Sequence, residues 1–242
     1  MSGHSKWATI KRQKGAADIK RGQQFTKLAN AIVIAVKQNG GVVDPETNFK
    51  LRLAIDKARS YNMPKENIER AIQKAKGSSD SGDLQEAIYE GFTPGGGAIL
   101  IEAVTDNKQR TVAEVKNVLE KNGGTLGNQG SVSYLFNRVG EIAAQINGKT
   151  SDELLDLAVE LDSTDYLEDS GDVIFYVDPT RLAIVKKLLE EKGMVVASAE
   201  LVFKPINEME ISEEAKSKTI SLIEKLEDLG DVQNVSTNTT IY

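Results

Sequence analysis

The sequence predicts a multi-domain α+β protein, an N-terminal three-helix bundle-like domain followed by two α+β domains, one inserted in the other. Three observations lead there. Up to residue 76 the apolar side chains recur with the 3.6-residue period of amphipathic helices; beyond Gly77 short strand-like runs alternate with helical ones; and the charge changes sign at the same place. Residues 1–76 hold 16 Lys and Arg against 6 Asp and Glu, an excess of ten, whereas residues 77–242 hold 14 against 30, a deficit of sixteen. A chain of 242 residues also exceeds the roughly 150 typical of one domain.

Phe25, Leu28, Ala29, Ile32 and Val36 form the stripe of a first helix that ends at Asn39-Gly40-Gly41. A second stripe, Leu51, Ala54, Ile55 and Ala58, follows Asp44-Pro45 and stops before Asn62-Met63-Pro64. Pro64 suits the first turn of a third helix with the stripe Ile68, Ala71, Ile72 and Ala75, and with Glu66 and Arg70 spaced to pair at i, i+4. Three such faces can close on one another, so residues 1–76 are expected to be a basic helical domain that folds as an isolated fragment. Residues 4–22 are expected to add a short basic helix or an arm, with Gly22 turning the chain. Residues 77–83, Gly-Ser-Ser-Asp-Ser-Gly-Asp, read as a linker.

Strands over 87–92 and 98–104, joined by Thr93-Pro94-Gly95-Gly96-Gly97, read as a hairpin, and 111–121 as a helix closed by Asn122-Gly123-Gly124. A strand at 140–145, a helix at 152–161, a strand at 173–177, a helix at 181–192 and a strand at 195–203 follow in βαβαβ order, which suggests one sheet with its helices on one face. A helix at 212–229 and a strand at 232–236 end the chain. Residues 84–135 lack a closing partner and residues 205–242 could supply it. The two segments are therefore expected to form one discontinuous α+β domain around an inserted βαβαβ domain at 136–204.

The composition removes most chemistry. With 0 cysteines and one histidine, His4, the chain has no thiol catalyst, disulfide or cysteine-ligated zinc, and cannot assemble a multi-histidine metal centre. No enzyme activity, cofactor or metal is expected. Nine carboxylates between Asp152 and Asp172, with no Lys or Arg, do not follow calcium-loop spacing, and their expected role is to repel polyanions from this half. Residues 1–10 lack the apolar core of a signal peptide, and the longest purely apolar run, 31–36, falls far short of the ~18 residues that span a bilayer. A cytoplasmic protein without a membrane partner is expected.

What remains is the positive charge. Lys6, Lys11, Arg12, Lys14, Lys20, Arg21 and Lys27 face one acid, Asp18, in the first 27 residues, and a cation-rich face gains affinity for nucleic acid by releasing counterions from phosphates. Trp7, the only tryptophan, lies among them and is open to two readings, stacking on a base or anchoring a core. His4 beside it is either a further contact or a solvated terminal side chain. Lys108 and Arg110, delivered by a strand end to a helix start, occupy a place suited to anions, with capping by Asp106 or Asn107 as the structural alternative. The glycine runs do not hold phosphate: 95–97 lies between strands, and 123–130 follows a helix instead of preceding one.

With those residues laid out, the chain resembles the YebC/PmpR family, to which the mitochondrial translational activator of cytochrome oxidase subunit one also belongs. The likeness rests on Gly3-His4-Ser5-Lys6-Trp7, Asp18-x-Lys20-Arg21-Gly22, Phe25-Thr26-Lys27-Leu28, Leu51-Arg52-Leu53-Ala54-Ile55, Asn62-Met63-Pro64-Lys65 and Asn67-Ile68-Glu69-Arg70-Ala71-Ile72. It continues through Tyr89-Glu90-Gly91, Thr105-Asp106-Asn107 with Arg110-Thr111, Gly130-Ser131-Val132 and Asp231-Val232-Gln233-Asn234-Val235. It departs at Arg12-Gln13-Lys14, where the family commonly has His-Arg-Lys, and at 238–242. The resemblance implies a helical domain followed by two α+β domains, one inserted in the other, and no enzyme activity. It implies a regulator of gene expression, either a DNA-binding transcriptional regulator or a ribosome-associated factor whose helical domain contacts ribosomal RNA and relieves stalling at proline-rich stretches. The motif begins at residue 3, which leaves no room for a mitochondrial presequence, so a bacterial cytoplasmic protein is expected.

Overall fold

The computed structural model describes residues 18–76, 84–169 and 171–241, with side-chain surroundings from Gly22 onward. Among the described residues three helices come first: α1 (Asp18–Gln38), α2 (Phe49–Ser60) and α3 (Lys65–Lys76). Their apolar stripes meet in one cluster in which Leu28, Ile32, Val36, Leu51, Ile55, Ala58, Ile68, Ala71 and Ala75 are buried. Gly22 continues α1 instead of turning the chain, so the basic positions 20 and 21 share a helix with the core stripe. At the other end of α1, Gly40 (φ 65°) and Gly41 (φ 84°) take left-handed backbone, and the Gly41 N–H returns to the Val36 carbonyl at 2.9 Å. Buried Asn48 then fixes the return: its side-chain oxygen caps α2 at the Leu51 N–H, while its amide donates to the Ala35 and Val42 carbonyls at 3.0 and 2.8 Å.

Strands β1 (Gln85–Phe92) and β2 (Ala98–Thr105) form the expected hairpin. After α4 (Lys108–Lys121) a two-residue strand, β3 (Thr125–Leu126), pairs with the far end of β1. The chain then makes a second sheet before α7 (Glu213–Glu227) and β8 (Val232–Thr237) return it to the first. That first sheet has the order β3-β1-β2-β8, every pairing antiparallel, and α4 and α7 cover one face, burying Val115, Leu119, Leu222 and Leu226 on Ile99 and Ile101. Only glycine fits at position 91 of β1, where a Cβ would stand 2.5 Å from the Thr125 carbonyl oxygen of β3.

The second sheet runs β4 (Phe136–Gln145), α5 (Ser151–Glu160), β5 (Asp165–Asp169), β6 (Asp172–Val177), α6 (Leu182–Glu191) and β7 (Val196–Pro205), in the order β5-β6-β4-β7. The expected βαβαβ is thus βαββαβ, the split βαβ arrangement with all neighbours antiparallel. The missed strand β5 lies in the acidic stretch. As an edge strand it needs little apolar content, and its Asp165 is ion-paired with Lys204. Both helices lie on one face, as expected, over a core of Ile142, Phe175, Val177, Leu154, Leu182 and Val185.

The helical part is not attached by residues 77–83 alone. Phe49 and Leu53 of α2 pack into the core beside Ala199 and Leu201 of β7. Polar links flank that contact, Lys57 to Glu200 at 2.8 Å and Lys186 to Asp56.

Candidate nucleic-acid interface

The predicted contact residues divide into three groups. His4, Lys6, Trp7, Lys11, Arg12 and Lys14 lie outside the described residues. Lys20 and Arg21 fall in the first turns of α1. Lys27, Lys108 and Arg110 can be placed in full.

Lys27 does not present its charge to solvent. It is 8% exposed, and its ammonium donates to the carbonyl of Glu227, the last residue of α7. A cation there meets the negative end of the helix dipole, so Lys27 joins the helical part to the first sheet.

Lys108 and Arg110 open α4, and here the capping alternative holds. The Asn107 side chain accepts from the Gln109 and Arg110 N–H groups, both at 3.1 Å. The Arg110 guanidinium reaches Asp106 at 2.9 Å and Asp231 at 2.7 Å, and the Thr111 hydroxyl donates to the same Asp231 carboxylate at 2.7 Å. Burial pushes the Asp231 carboxyl up, but hydrogen bonds from Arg110, Thr111 and Thr105 outweigh it and hold the group below its ordinary range. Arg110 is committed to two carboxylates, which leaves exposed Lys108 as the open cation of this turn.

A further basic face went unread in the sequence. On α3, Arg70 and Lys74 are one helical turn apart, opposite the buried stripe of Ile68, Ala71 and Ala75, with Gln73 and Lys76 exposed nearby. The expected Glu66–Arg70 pair is absent from the described contacts, where Lys65 holds Glu69 at 3.6 Å. Among the described residues Arg70, Lys74 and Lys76 make no ion pair. The i, i+4 spacing of Arg70 and Lys74 is the sequence signal for this face, although the cations are denser before residue 28.

Several of the quoted motifs turn out to be structural. Glu90 is 4% exposed, and its carboxylate accepts from the N–H groups of Gly130, Val132 and Ser133 at 2.6, 2.7 and 2.9 Å, which shapes the loop after β3. Burial raises this carboxyl and the three backbone donors lower it further, for a net depression. Tyr89-Glu90-Gly91 and Gly130-Ser131-Val132 are therefore the two halves of one staple, and Thr105, Arg110, Thr111 and Asp231 form another.

Comparison with known proteins covers nearly the whole chain. Residues 5–78 match the model of the TACO1/YebC protein N-terminal domain, and residues 84–239 match that of the TACO1/YebC second and third domain. A probable transcriptional regulatory protein of Caldanaerobacter subterraneus subsp. tengcongensis is 44% identical over 239 residues, 98% of either chain. One of the same description from Treponema denticola is 46% identical over 241 residues, 100% of this chain and 97% of its own. Among solved structures, a conserved hypothetical protein of Aquifex aeolicus superposes with a TM-score of 0.87 at 42% identity, over 97% of this chain and 96% of its own.

Proposed function

The chain belongs to the TACO1/YebC family, and from that premise we propose that it is a non-enzymatic, nucleic-acid-binding regulator of gene expression, a DNA-binding transcriptional regulator acting in the cytoplasm. The relatives' name as probable transcriptional regulatory proteins supports the regulatory part. One observation carries the nucleic-acid part: 16 cations against 6 acids in residues 1–76, joined to a remainder of the opposite sign. On this reading the basic unit is 1–76, linked by 77–83 to a discontinuous unit, 84–135 plus 205–242, which carries the insert 136–204. The contacts are His4, Lys6, Trp7, Lys11, Arg12, Lys14, Lys20 and Arg21, extended by Arg70 and Lys74 of α3, with Lys108 at the margin. The face of α3 supports DNA, because Arg and Gln can address base edges and α3 follows α2 after a turn of residues 61–64.

A second reading, contact with ribosomal RNA, is favoured by the arm before α1, where four cations and the only tryptophan meet no acid. Phosphate contacts and base stacking serve folded RNA without groove reading. Sedimentation of the purified protein with ribosomes in the presence of excess duplex DNA separates the two. Cosedimentation supports ribosomal RNA, retention on duplex supports DNA, and failure to bind either refutes the shared premise.

A further inference from the structure

The first sheet leaves one of its edges open inside a groove. Strand β3 covers only Gly91 and Phe92 of β1, so residues 85–90 have no partner strand on that side among the described residues. The direction of the free groups follows from the ladder. The Glu90 carbonyl faces outward, because it accepts the Gly127 N–H at 2.8 Å, and the Thr93 N–H faces β2, because it donates to the Gly97 carbonyl at 2.7 Å. Backbone groups alternate sides along a strand, so Glu86 and Ile88 present both N–H and C=O outward, while Ala87 and Tyr89 are consumed by β2.

This edge runs through a cleft of about 930 Å³. Ile34 of α1 with Lys50 and Leu53 of α2 lie on one side, and Lys108 and Val112 of α4 on the other. Ile88 stands in it 49% exposed. Most of the charge there is already spent: Lys57 holds Glu200, Arg138 holds Glu102, and Glu90 holds its three backbone donors. Glu86, Lys50 and Lys108 have no ion-pair partner among the described residues, and Lys50 donates only to the neutral Gln38 side chain at 2.7 Å, so two cations of the lining are open to a carboxylate.

We infer that this edge receives an extended segment of a partner polypeptide, added as a strand beside β1, with apolar residues against Ile34, Leu53, Ile88 and Val112 and a carboxylate toward Lys50 or Lys108. Alternating donors and acceptors two residues apart match another peptide backbone. A phosphodiester chain brings acceptors and would leave the Glu86 and Ile88 carbonyls unmatched. A second copy is disfavoured by geometry, since its own β1 edge is recessed between the same helices and two recessed edges cannot meet. The inference does not rest on nucleic-acid binding by the basic unit, with which this edge shares only Lys108 at the margin.

The test is amide hydrogen exchange on the full-length, nitrogen-labelled chain with the capped peptide Ac-Glu-Val-Thr-Val-Thr-Val-NH2 as probe. In the free protein the Glu86 and Ile88 amides exchange rapidly while Ala87 and Tyr89 are protected, and saturating peptide slows Glu86 and Ile88 by about tenfold or more. Ile88→Pro removes an outward donor at an edge position where proline is tolerated, and weakens the peptide by about fivefold or more, the worth of one hydrogen bond. Ile88→Val, which keeps that N–H and most of the apolar contact, weakens the peptide by less than Ile88→Pro does. Should Ile88→Pro fail to fold, peptides N-methylated at alternate residues replace it: one set loses binding and the other retains it. Protection of Glu86 and Ile88 in the dilute free chain, no response to the peptide, protection that appears only as the protein is concentrated, or protection by oligouridylate in its place would each overturn the inference.

Discussion

Replacing Glu90 by alanine removes the acceptor for three backbone donors at once, and the structure sets the size of the effect. Val132 is fully buried, so its N–H has no water to turn to, whereas Gly130 is exposed and Ser133 half-buried, so theirs can be rehydrated. One buried donor left unpaired costs about 1–3 kcal/mol, and charge-assisted bonds are worth about 1.5–3 kcal/mol each. With two of the three partly replaced by water, we expect Glu90→Ala to destabilise the first sheet by about 3 kcal/mol. Glu90→Gln keeps one acceptor oxygen but turns a donor toward an N–H, and is expected to lose about half as much. Urea unfolding followed by circular dichroism gives the loss, and exchange of the Val132 amide shows where it arises. A pH dependence follows from the sign of the shift. The folded carboxyl is depressed, so its stabilisation is complete above the unfolded value of about 4.3 and is lost as the pH falls through the lower folded value. The alanine variant lacks that part of the acid sensitivity. A loss below about 1 kcal/mol, or acid unfolding identical to that of the parent, would refute the staple.

Charge reversal at Lys20 and Arg21 together is expected to weaken nucleic-acid binding by about tenfold or more while stability stays within about 0.5 kcal/mol; unchanged binding in an electrophoretic assay would remove these positions from the interface. Reversal of Arg70 and Lys74 is expected to weaken duplex binding and spare the fold, and an unaffected duplex affinity would leave α3 without a contact role. A fragment of residues 1–76 is expected to be helical by circular dichroism but to melt below the full chain, because Phe49 and Leu53 lose their cover on β7; a random-coil spectrum would show that the helical core cannot stand without that contact.

The helical stripes were legible because a buried helix face writes its period directly into the sequence. Leu28, Ile32 and Val36, or Ile68, Ala71 and Ala75, announce both a helix and the side it buries. Strand β5 was hidden because an edge strand beside solvent needs few apolar residues, and β3 because two residues carry no period. Lys27 was misread because its partner, the Glu227 carbonyl, is 200 residues away, and no local pattern separates a lysine buried on a helix end from a phosphate ligand. Glu90 and Asp231 escaped for a related reason. By sequence they are two of the 30 acids of residues 77–242, and only the fold sets them against buried donors. The reading of Lys108 and Arg110 was half legible, since Asn107 as a helix cap is a local signal, whereas the hold of Asp231 on Arg110 depends on β8 returning beside β2.

The central claim is that the positive surplus of residues 1–76 is a contact surface for phosphates and not a solvated exterior. Its most direct test is the affinity of the full chain for a nucleic-acid probe as a function of salt. If about five of the six cations up to Arg21 each neutralise one phosphate, log K falls against log salt with a slope of about −3.5 to −4.5, taking ~0.7 to ~0.9 per contact. The Lys20 and Arg21 reversal flattens that slope. A slope near zero, in the parent and the variant alike, would contradict the account.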